Sequence, residues 1–233
     1  MNLTTEIIKV SCKGVKENKI PNQDHIQIAE NNECLVVSVS DGLGSSKYSL
    51  IGAKLAGRLL VGGFENKKKY YNDEQFIISL PKKWRKIIKF KSGDVKDYRT
   101  TNSFIIVLKQ EHKIITGRIG DVLIAIRIDG KFQQIQSMEK DFLNETDCLG
   151  SGNLESYDVS KYNFVNSYEF LIATDGIGDE LNIEKVDTLF DYLLSKYKTI
   201  SKKKRNIILK KEITLNLNDK NNDDKSLVFV WSN

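Results

Sequence analysis

Short apolar runs, each bounded by turn-forming residues, recur along most of the chain. Several are rich in valine and isoleucine and end at glycine, asparagine or aspartate, which is typical of β-strands separated by turns. The runs therefore predict a fold built largely on β-sheet. We predict nine strands, over residues 7–11, 26–29, 35–40, 103–109, 113–119, 122–128, 131–135, 168–174 and 227–231.

Two of the predicted turns are tight. Asp129-Gly130 joins two apolar runs and is a strong indicator of a two-residue type I′ hairpin. Gly120-Asp121 likewise separates two apolar strands. Together these turns predict an antiparallel meander in the middle of the chain.

Apolar residues at helical spacing fall between the groups of strands. They predict helices over residues 46–60, 73–90, 186–197 and 201–217, with Pro81 at a first turn or a break in its helix. Helices in two groups around many strands favour an α+β fold with helices outside the sheets. The length of 233 residues suits a single domain, and we expect residues 1–233 to form one.

Composition excludes several classes of site and location. The cysteines Cys12, Cys34 and Cys148 are far apart, and His25 and His112 lie at no zinc-ligand spacing from them, so a structural zinc site is not expected. Scattered cysteines fit a reducing cytoplasm. Neither a signal peptide nor a run of roughly 20 apolar residues is present, so we expect no membrane association.

The formal net charge of +5 is concentrated in three basic clusters. They could form a surface for nucleic acid or an acidic partner. Solvated helix faces are the favoured interpretation, because no nucleic-acid-binding motif accompanies them. The clusters are residues 67–69, 82–86 and 202–205.

Aspartates stand at the ends of several predicted strands, next to small or turn-forming residues. A strand end is a rigid platform, and several carboxylates brought together there repel one another unless cations neutralise them. Mg²⁺ and Mn²⁺ prefer such hard oxygen ligands. An Asp-Gly after a strand is, taken alone, most often just a turn. The aspartates are Asp24, Asp41, Asp121, Asp175 and the pair Asp223-Asp224.

The order of these pieces resembles the metal-dependent type 2C protein serine/threonine phosphatases, in particular their compact bacterial branch. The resemblance runs from Val10 to Val230, and individually weak motifs occur in the expected order. The matching segments are residues 19–24 (KIPNQD), 39–45 (VSDGLGS), 100–101 (TT), 119–121 (IGD), 144–146 (NET), 173–176 (ATDG) and 223–226 (DDKS), with Ser49, Gly52, Ala53 and Ala56 on the first helix.

The resemblance implies a four-layer α-β-β-α sandwich with two central antiparallel sheets, and two divalent metal ions, Mn²⁺ or Mg²⁺. A metal-bridging hydroxide would attack the phosphorus of phosphoserine or phosphothreonine directly. Asp41 would bridge both ions, and Lys19 would face the phosphate. The other implied ligands are Asp24, the Gly42 carbonyl, Asp175 and Asp223, with Asp121 at a weaker third ion.

Some positions depart from the family pattern. Leu43 stands where eukaryotic members often carry a histidine, so no histidine is assigned a catalytic role. Thr100-Thr101 replaces the usual glycine-threonine step, and residues 140–162 correspond to a short flap. The four main carboxylates favour an active enzyme, and the alternative is a catalytically weak regulatory or binding module.

The implied partners follow from the same resemblance. They are a phosphorylated protein substrate and a cognate serine/threonine kinase, without nucleic acid or membrane. We expect a monomer in the cytoplasm.

Overall fold

The computed structural model describes residues 3–15, 20–136, 147–152 and 156–232, with the side chains of residues 134–136 left out. The chain divides into two compact units. The terminal unit comprises residues 1–22, 123–137 and 164–233, and the central unit comprises residues 23–122 and 138–163. Each unit is built on one five-stranded antiparallel sheet.

The central sheet has the strand order β2-β3-β4-β5-β8. Its strands β3 and β4 are buried along their whole length, which explains why most of their residues are apolar. The strands are β2 (His25–Glu30), β3 (Cys34–Ser40), β4 (Asn102–Leu108), β5 (Lys113–Ile119) and β8 (Asp158–Asn163).

Helices α1 (Ser49–Val61) and α3 (Glu74–Ile88) pack together in the central unit, and α1 contacts β2 and β3. The Asp73 side chain caps α3 by accepting a hydrogen bond from the Gln75 amide at 2.9 Å. Trp84 of α3 is fully buried and donates its indole N–H to the Gly52 carbonyl at 3.0 Å. A short helix α2 (Phe64–Lys67) and 3₁₀ turns at Lys68–Tyr70 and Val95–Tyr98 complete this unit.

The terminal sheet has the strand order β1-β10-β9-β6-β7. Its strands are β1 (Thr5–Cys12), β6 (Leu123–Ile128), β7 (Lys131–Gln136), β9 (Tyr168–Ala173) and β10 (Lys225–Ser232). Its helices are α4 (Asp175–Gly178), α5 (Val186–Thr199) and α6 (Lys202–Leu217), with a 3₁₀ turn at Ile183–Lys185. Phe190, Leu193 and Tyr197 of α5 and Leu209 of α6 join the apolar core.

A buried arginine ties α5 to the terminal sheet. Arg127 of β6 pairs with Glu169 of β9 and, at 2.8 Å each, with Asp187 and Asp191 of α5. Burial alone would lower the pKa of Arg127, but the three carboxylates outweigh it and hold the pKa above its ordinary value. The guanidinium therefore stays charged and fixes the helix on the sheet.

The nine predicted strands and four predicted helices are all present, with ends shifted by a few residues. Asp129 and Gly130 both have positive φ, 48° and 75°, which confirms the type I′ hairpin between β6 and β7. The predicted meander is wrong at Gly120-Asp121, because β5 and β6 belong to different sheets. The chain changes unit there rather than making a hairpin.

Three other expectations need correction. Pro81 lies inside the continuous helix α3, on its buried face, rather than at a first turn or a break. The region 140–162, expected as a flap, contributes most of β8, whose polar sequence is tolerated because β8 is an edge strand. In the basic cluster 202–205, Arg205 is buried, pairs with Glu6 at 2.6 Å and lies over the Trp231 ring.

None of the helices in the described ranges has the length and apolar character that a membrane crossing needs.

Candidate metal centre

The predicted ligands of the central unit lie along one edge of its sheet, the edge formed by the ends of neighbouring strands rather than by an outer strand. His25 of β2 pairs with Ser40 of β3, so the next residues beyond that pair are Asp24 and Asp41. The register of β3 with β4 continues in the same way to Thr101. The register of β4 with β5 then leads to Gly120, which directly precedes Asp121. Four neighbouring strands thus bring Asp24, Asp41 and Asp121 to the same edge.

The backbone of Asp41 is clamped by two threonines. Its carbonyl accepts hydrogen bonds from the Thr101 amide at 2.8 Å and the Thr100 hydroxyl at 2.7 Å. Its amide donates to the Thr101 hydroxyl at 3.3 Å. Thr100 also forms isolated bridges to Gly42 and Leu149. The clamp fixes the backbone of Asp41, a half-buried residue, directly after β3.

Gly42 lies where no side chain fits. A Cβ there would come within 2.9 Å of Ser49 at the start of α1 and 3.0 Å of the Gln23 carbonyl. The Gln23 side chain in turn donates to the Ser49 hydroxyl at 2.5 Å. Residues 23 and 24, Gly42 and the first turn of α1 are therefore packed closely, which fixes the Gly42 backbone beside Asp24.

Gly120 is the residue that directs Asp121 to this edge. Its φ of +99° favours glycine, and a Cβ would lie 2.5 Å from Thr101 Cγ2. Asp24 is buried, and so are the Oδ1 atoms of Asp24 and Asp121. Burying a carboxylate oxygen is costly unless positive charge or hydrogen bonds compensate.

A buried polar network lies behind the same edge. The Asn102 side-chain amide donates to the hydroxyls of Ser38 and Ser40 at 2.9 and 2.8 Å, and its oxygen accepts from the Tyr157 hydroxyl at 2.6 Å. Burial raises the pKa of Tyr157, so it remains a hydrogen-bond donor at neutral pH. This network fixes the ends of β3 and β4, where Asp41 begins its turn.

In the terminal unit, the segment that begins at Asp175 packs against the segment that contains Asp223. Asp175 follows β9 and begins α4, while Asp223 precedes β10, the neighbour of β9 in the sheet. A Cβ on Gly176 would come within 2.0 Å of the Asp224 carbonyl oxygen and 3.4 Å of Asp223 Cβ. Only glycine allows these two segments to approach so closely.

The two consecutive aspartates Asp223 and Asp224 have different environments. Asp224 is buried, and its Oδ1 accepts the Gly14 amide at 2.8 Å, so it is a structural residue. Asp223 is half-buried, and its Oδ1 accepts the Asp224 amide at 2.8 Å, which orients its carboxylate. The environments favour Asp223 over Asp224 as a ligand.

Lys225 is a fully buried lysine whose role the sequence did not reveal. Its ammonium donates to the Asn221 carbonyl, the Asn221 side-chain oxygen and the Asp223 carbonyl at 3.0, 2.9 and 2.8 Å. Asn221 also donates to the Gly176 carbonyl at 3.1 Å. Lys225 and Asn221 therefore connect the loop before β10 to the turn after β9.

The predicted ligands fall into two groups, one in each unit. The strand ends along one edge of the central sheet carry Asp24, Asp41, Gly42 and Asp121. The packed segments after β9 and before β10 carry Asp175 and Asp223. Lys19 and residues 144–146 lie outside the described residues. No three His, Cys, Asp or Glu side chains in the described ranges are grouped closely enough to hold a metal ion.

Neither histidine belongs to these groups of residues. His25 packs against Gly57 of α1, on the helix side of the sheet. His112 is exposed at the β4–β5 turn with a φ of 51°, as expected for a turn residue. The candidate ligand atoms of the two groups are thus carboxylate oxygens and a backbone carbonyl oxygen, which are the ligands that Mg²⁺ and Mn²⁺ prefer.

The family model described as Protein phosphatase 2C matches residues 14–214. The chain belongs to the protein phosphatase 2C family. The family predicted from the order of the motifs is thereby confirmed, as is the activity class, a metal-dependent serine/threonine protein phosphatase acting on phosphorylated proteins.

Solved structures show the same fold. The S. agalactiae serine/threonine phosphatase is 17% identical, with a TM-score of 0.69 over 97% of this chain and 99% of that chain. RsbX in complex with magnesium is 15% identical, with a TM-score of 0.62 over 99% and 100% of the two chains. The catalytic domain of PstP with two manganese ions is 12% identical, with a TM-score of 0.60 over 99% of each.

These likenesses confirm the predicted α+β fold class with two antiparallel sheets. No curated protein sequence matches the phosphatase.

Replacing Lys225 by Met tests whether the buried ammonium positions Asp223. Met keeps the apolar stem but removes all three hydrogen bonds. We expect Mn²⁺ affinity to fall about 10–100-fold, the range for residues that orient a ligand. Titration calorimetry with Mn²⁺ measures the loss directly, without relying on turnover.

The control for this variant is Lys198→Met, which removes the same charge from an exposed position in the same unit. It should bind Mn²⁺ as the wild type does. Unchanged affinity in the Lys225→Met protein would show that Lys225 serves stability alone.

Proposed function

We propose that the phosphatase binds two divalent ions and that the residues that would hold them are Asp24, Asp41, the Gly42 carbonyl, Asp175 and Asp223. The observation that carries the proposal is the row of Asp24, Asp41 and Gly42 at one sheet edge, where the backbone is clamped by Thr100 and Thr101. The packing of the turn at Gly176 against residues 223 and 224 supports the second group of ligands. RsbX with magnesium and PstP with two manganese ions provide precedents for such ions in this fold.

Divalent ions, when bound, would make water more acidic and neutralise negative charge on the phosphate. The chain's own contribution is positioning. Thr100 and Thr101 fix the backbone of Asp41. The absence of a side chain at Gly176 lets the turn that carries Asp175 pack against the loop that carries Asp223. Lys225 fixes that loop through its hydrogen bond to the Asp223 carbonyl. Rigid positioning matters because misplacement by about 1 Å can cost 10²-fold in rate.

Two further roles belong to the same proposal. Lys19 would pair with the phosphate dianion as a point charge, without the planar fork of an arginine. Asp121, at the same sheet edge as Asp24 and Asp41, would take part in a weaker third metal site. The proton for the leaving group would come from water rather than from a histidine, since His25 packs against α1 and His112 is exposed at a turn.

Metal dependence is the direct test of this proposal. We expect hydrolysis of a chromogenic aryl phosphate and of phosphoserine and phosphothreonine peptides in Mn²⁺ or Mg²⁺. Activity should disappear in EDTA and return when the metal is added back. Turnover that persists in EDTA, or that no metal supports on any of these substrates, would contradict the proposal.

We also propose that residues 1–233 form one catalytic domain and act as a monomer. The segments of the two units alternate along the chain, which crosses between them at residues 22/23, 122/123, 137/138 and 163/164, so neither unit is a continuous stretch of sequence. The partner would be a cognate serine/threonine kinase that phosphorylates the same proteins, and the location would be the cytoplasm. The alternative, a catalytically weak binding module, is supported by no observation, since all four main carboxylates are retained.

A further inference from the structure

A groove with basic and aliphatic walls lies between α1 and the end of α3 in the central unit. Its volume is about 340 Å³, and we call it the α1–α3 groove. No acidic residue in the described part of the chain lines it. The lining residues are Ile51, Lys54, Leu55, Arg58, Ile87 and Lys91.

The apolar residues of the groove are unusually open to solvent. Ile51 is 44% exposed and Ile87 is 37% exposed, although both belong to helices with well-buried opposite faces. Ile51, Leu55 and Arg58 recur at the spacing of one helix face, so they present a continuous stripe. A concave stripe of this kind offers binding area to an apolar side chain.

The charge on α1 and on residues 75–91 has a single sign. From Gln75 to Lys91 the chain carries six basic residues and no acidic residue, and α1 adds two more basic residues and no acidic residue. Such a surface attracts negatively charged partners and repels basic ones. The groove therefore combines aliphatic contacts with cations at its rim.

We propose that the α1–α3 groove docks an acidic segment of another protein, with aliphatic side chains on Ile51, Leu55 and Ile87 and carboxylates on Lys54, Arg58 and Lys91. Peptides that enter helix-lined grooves use this combination of apolar anchors and complementary charge. Single-stranded nucleic acid would call for aromatic side chains on which bases stack, and the groove lining contains none. The proposal goes beyond the phosphatase chemistry and does not depend on it.

Binding is tested on the full chain in EDTA, so that catalysis and metal play no part. The probe is a fluorescent peptide in which Glu and Asp alternate with Leu, and fluorescence anisotropy reports its binding. We expect saturable binding that weakens as salt rises. Charge reversal in K54E/R58E/K91E should weaken it about tenfold or more, because three complementary pairs become repulsive.

A charge-matched control separates the groove from general electrostatics. K203E/K204E/K210E makes the same change in net charge on the exposed side of α6 and should leave peptide affinity within about twofold. The double variant I51S/I87S keeps every charge and should still weaken binding, as should replacing Leu by Ser in the peptide. Melting curves confirm that each variant is folded.

Several outcomes would overturn the proposal. They are the absence of peptide binding, an equal loss in both charge-reversal variants, and binding that is indifferent to I51S/I87S and to the Leu residues of the peptide. Tighter binding of a single-stranded DNA oligonucleotide or an anionic phospholipid vesicle, unaffected by I51S/I87S, would assign the surface to those ligands instead.

Discussion

Replacing Asp41 by Asn is expected to lower Mn²⁺-supported kcat/KM by about a thousandfold or more. The residue is proposed as a metal ligand, and metal ions contribute several kcal/mol to catalysis of this kind. Asn has the same shape but lacks the negative charge, and Thr100 and Thr101 hydrogen-bond to the backbone of residue 41. The fold should therefore survive, and turnover on a phosphopeptide across a Mn²⁺ titration measures the loss.

Asp219→Asn is the matched control for Asp41→Asn. Asp219 is exposed, so its substitution changes the net charge equally without touching the proposed ligands. It should keep wild-type turnover. If Asp41→Asn retained more than about a tenth of the wild-type kcat/KM at every Mn²⁺ concentration, the role of Asp41 as a metal ligand would be rejected.

Gly176→Ala should produce the second large effect, on metal binding and stability together. The new Cβ would lie 2.0 Å from the Asp224 carbonyl oxygen, which is backbone and cannot rotate away. The turn that carries Asp175 must then separate from the loop that carries Asp223. We expect Mn²⁺ affinity to fall by about 10–100-fold or more and stability by about 1–3 kcal/mol.

Calorimetric Mn²⁺ titration and denaturant unfolding of the metal-free protein measure these two effects separately. Gly152→Ala is the control, since a Cβ there meets nothing within 4 Å. A Gly176→Ala protein with unchanged Mn²⁺ affinity would mean that the distance between Asp175 and Asp223 does not matter for the metal.

The strands that carry the candidate ligands were predictable because local pattern and tertiary role agree. β3 is a mostly apolar strand that ends just before Asp41-Gly42, and β9 is another that leads to Asp175-Gly176. An edge strand such as β8 needs no apolar face, so its polar sequence gave no periodicity to detect. Pro81 was predicted at a first turn or a break of its helix because proline usually interrupts one. It lies inside α3 instead, on the buried side of the helix.

The residues that position the ligands were much harder to find. Thr100 and Thr101 are some 60 positions from Asp41 in sequence, and they were noted only as a departure from the family pattern. Lys225 was noted only as a member of the matching segment 223–226, although its ammonium is buried against Asn221 and the Asp223 carbonyl. Hydrogen bonds between distant segments leave no local pattern, so only the folded chain reveals them.

By itself the sequence determined most of the secondary structure, the family and the identity of the candidate carboxylates, because strand periodicity and the order of motifs are local properties. Only the tertiary structure decided that the chain changes sheets at Gly120-Asp121 and that Asp224 is structural while Asp223 is half-buried and oriented. It also decided that basic residues of α1 share one groove with Lys91, which follows α3. These properties depend on which distant segments pack together, and packing is settled by the core as a whole.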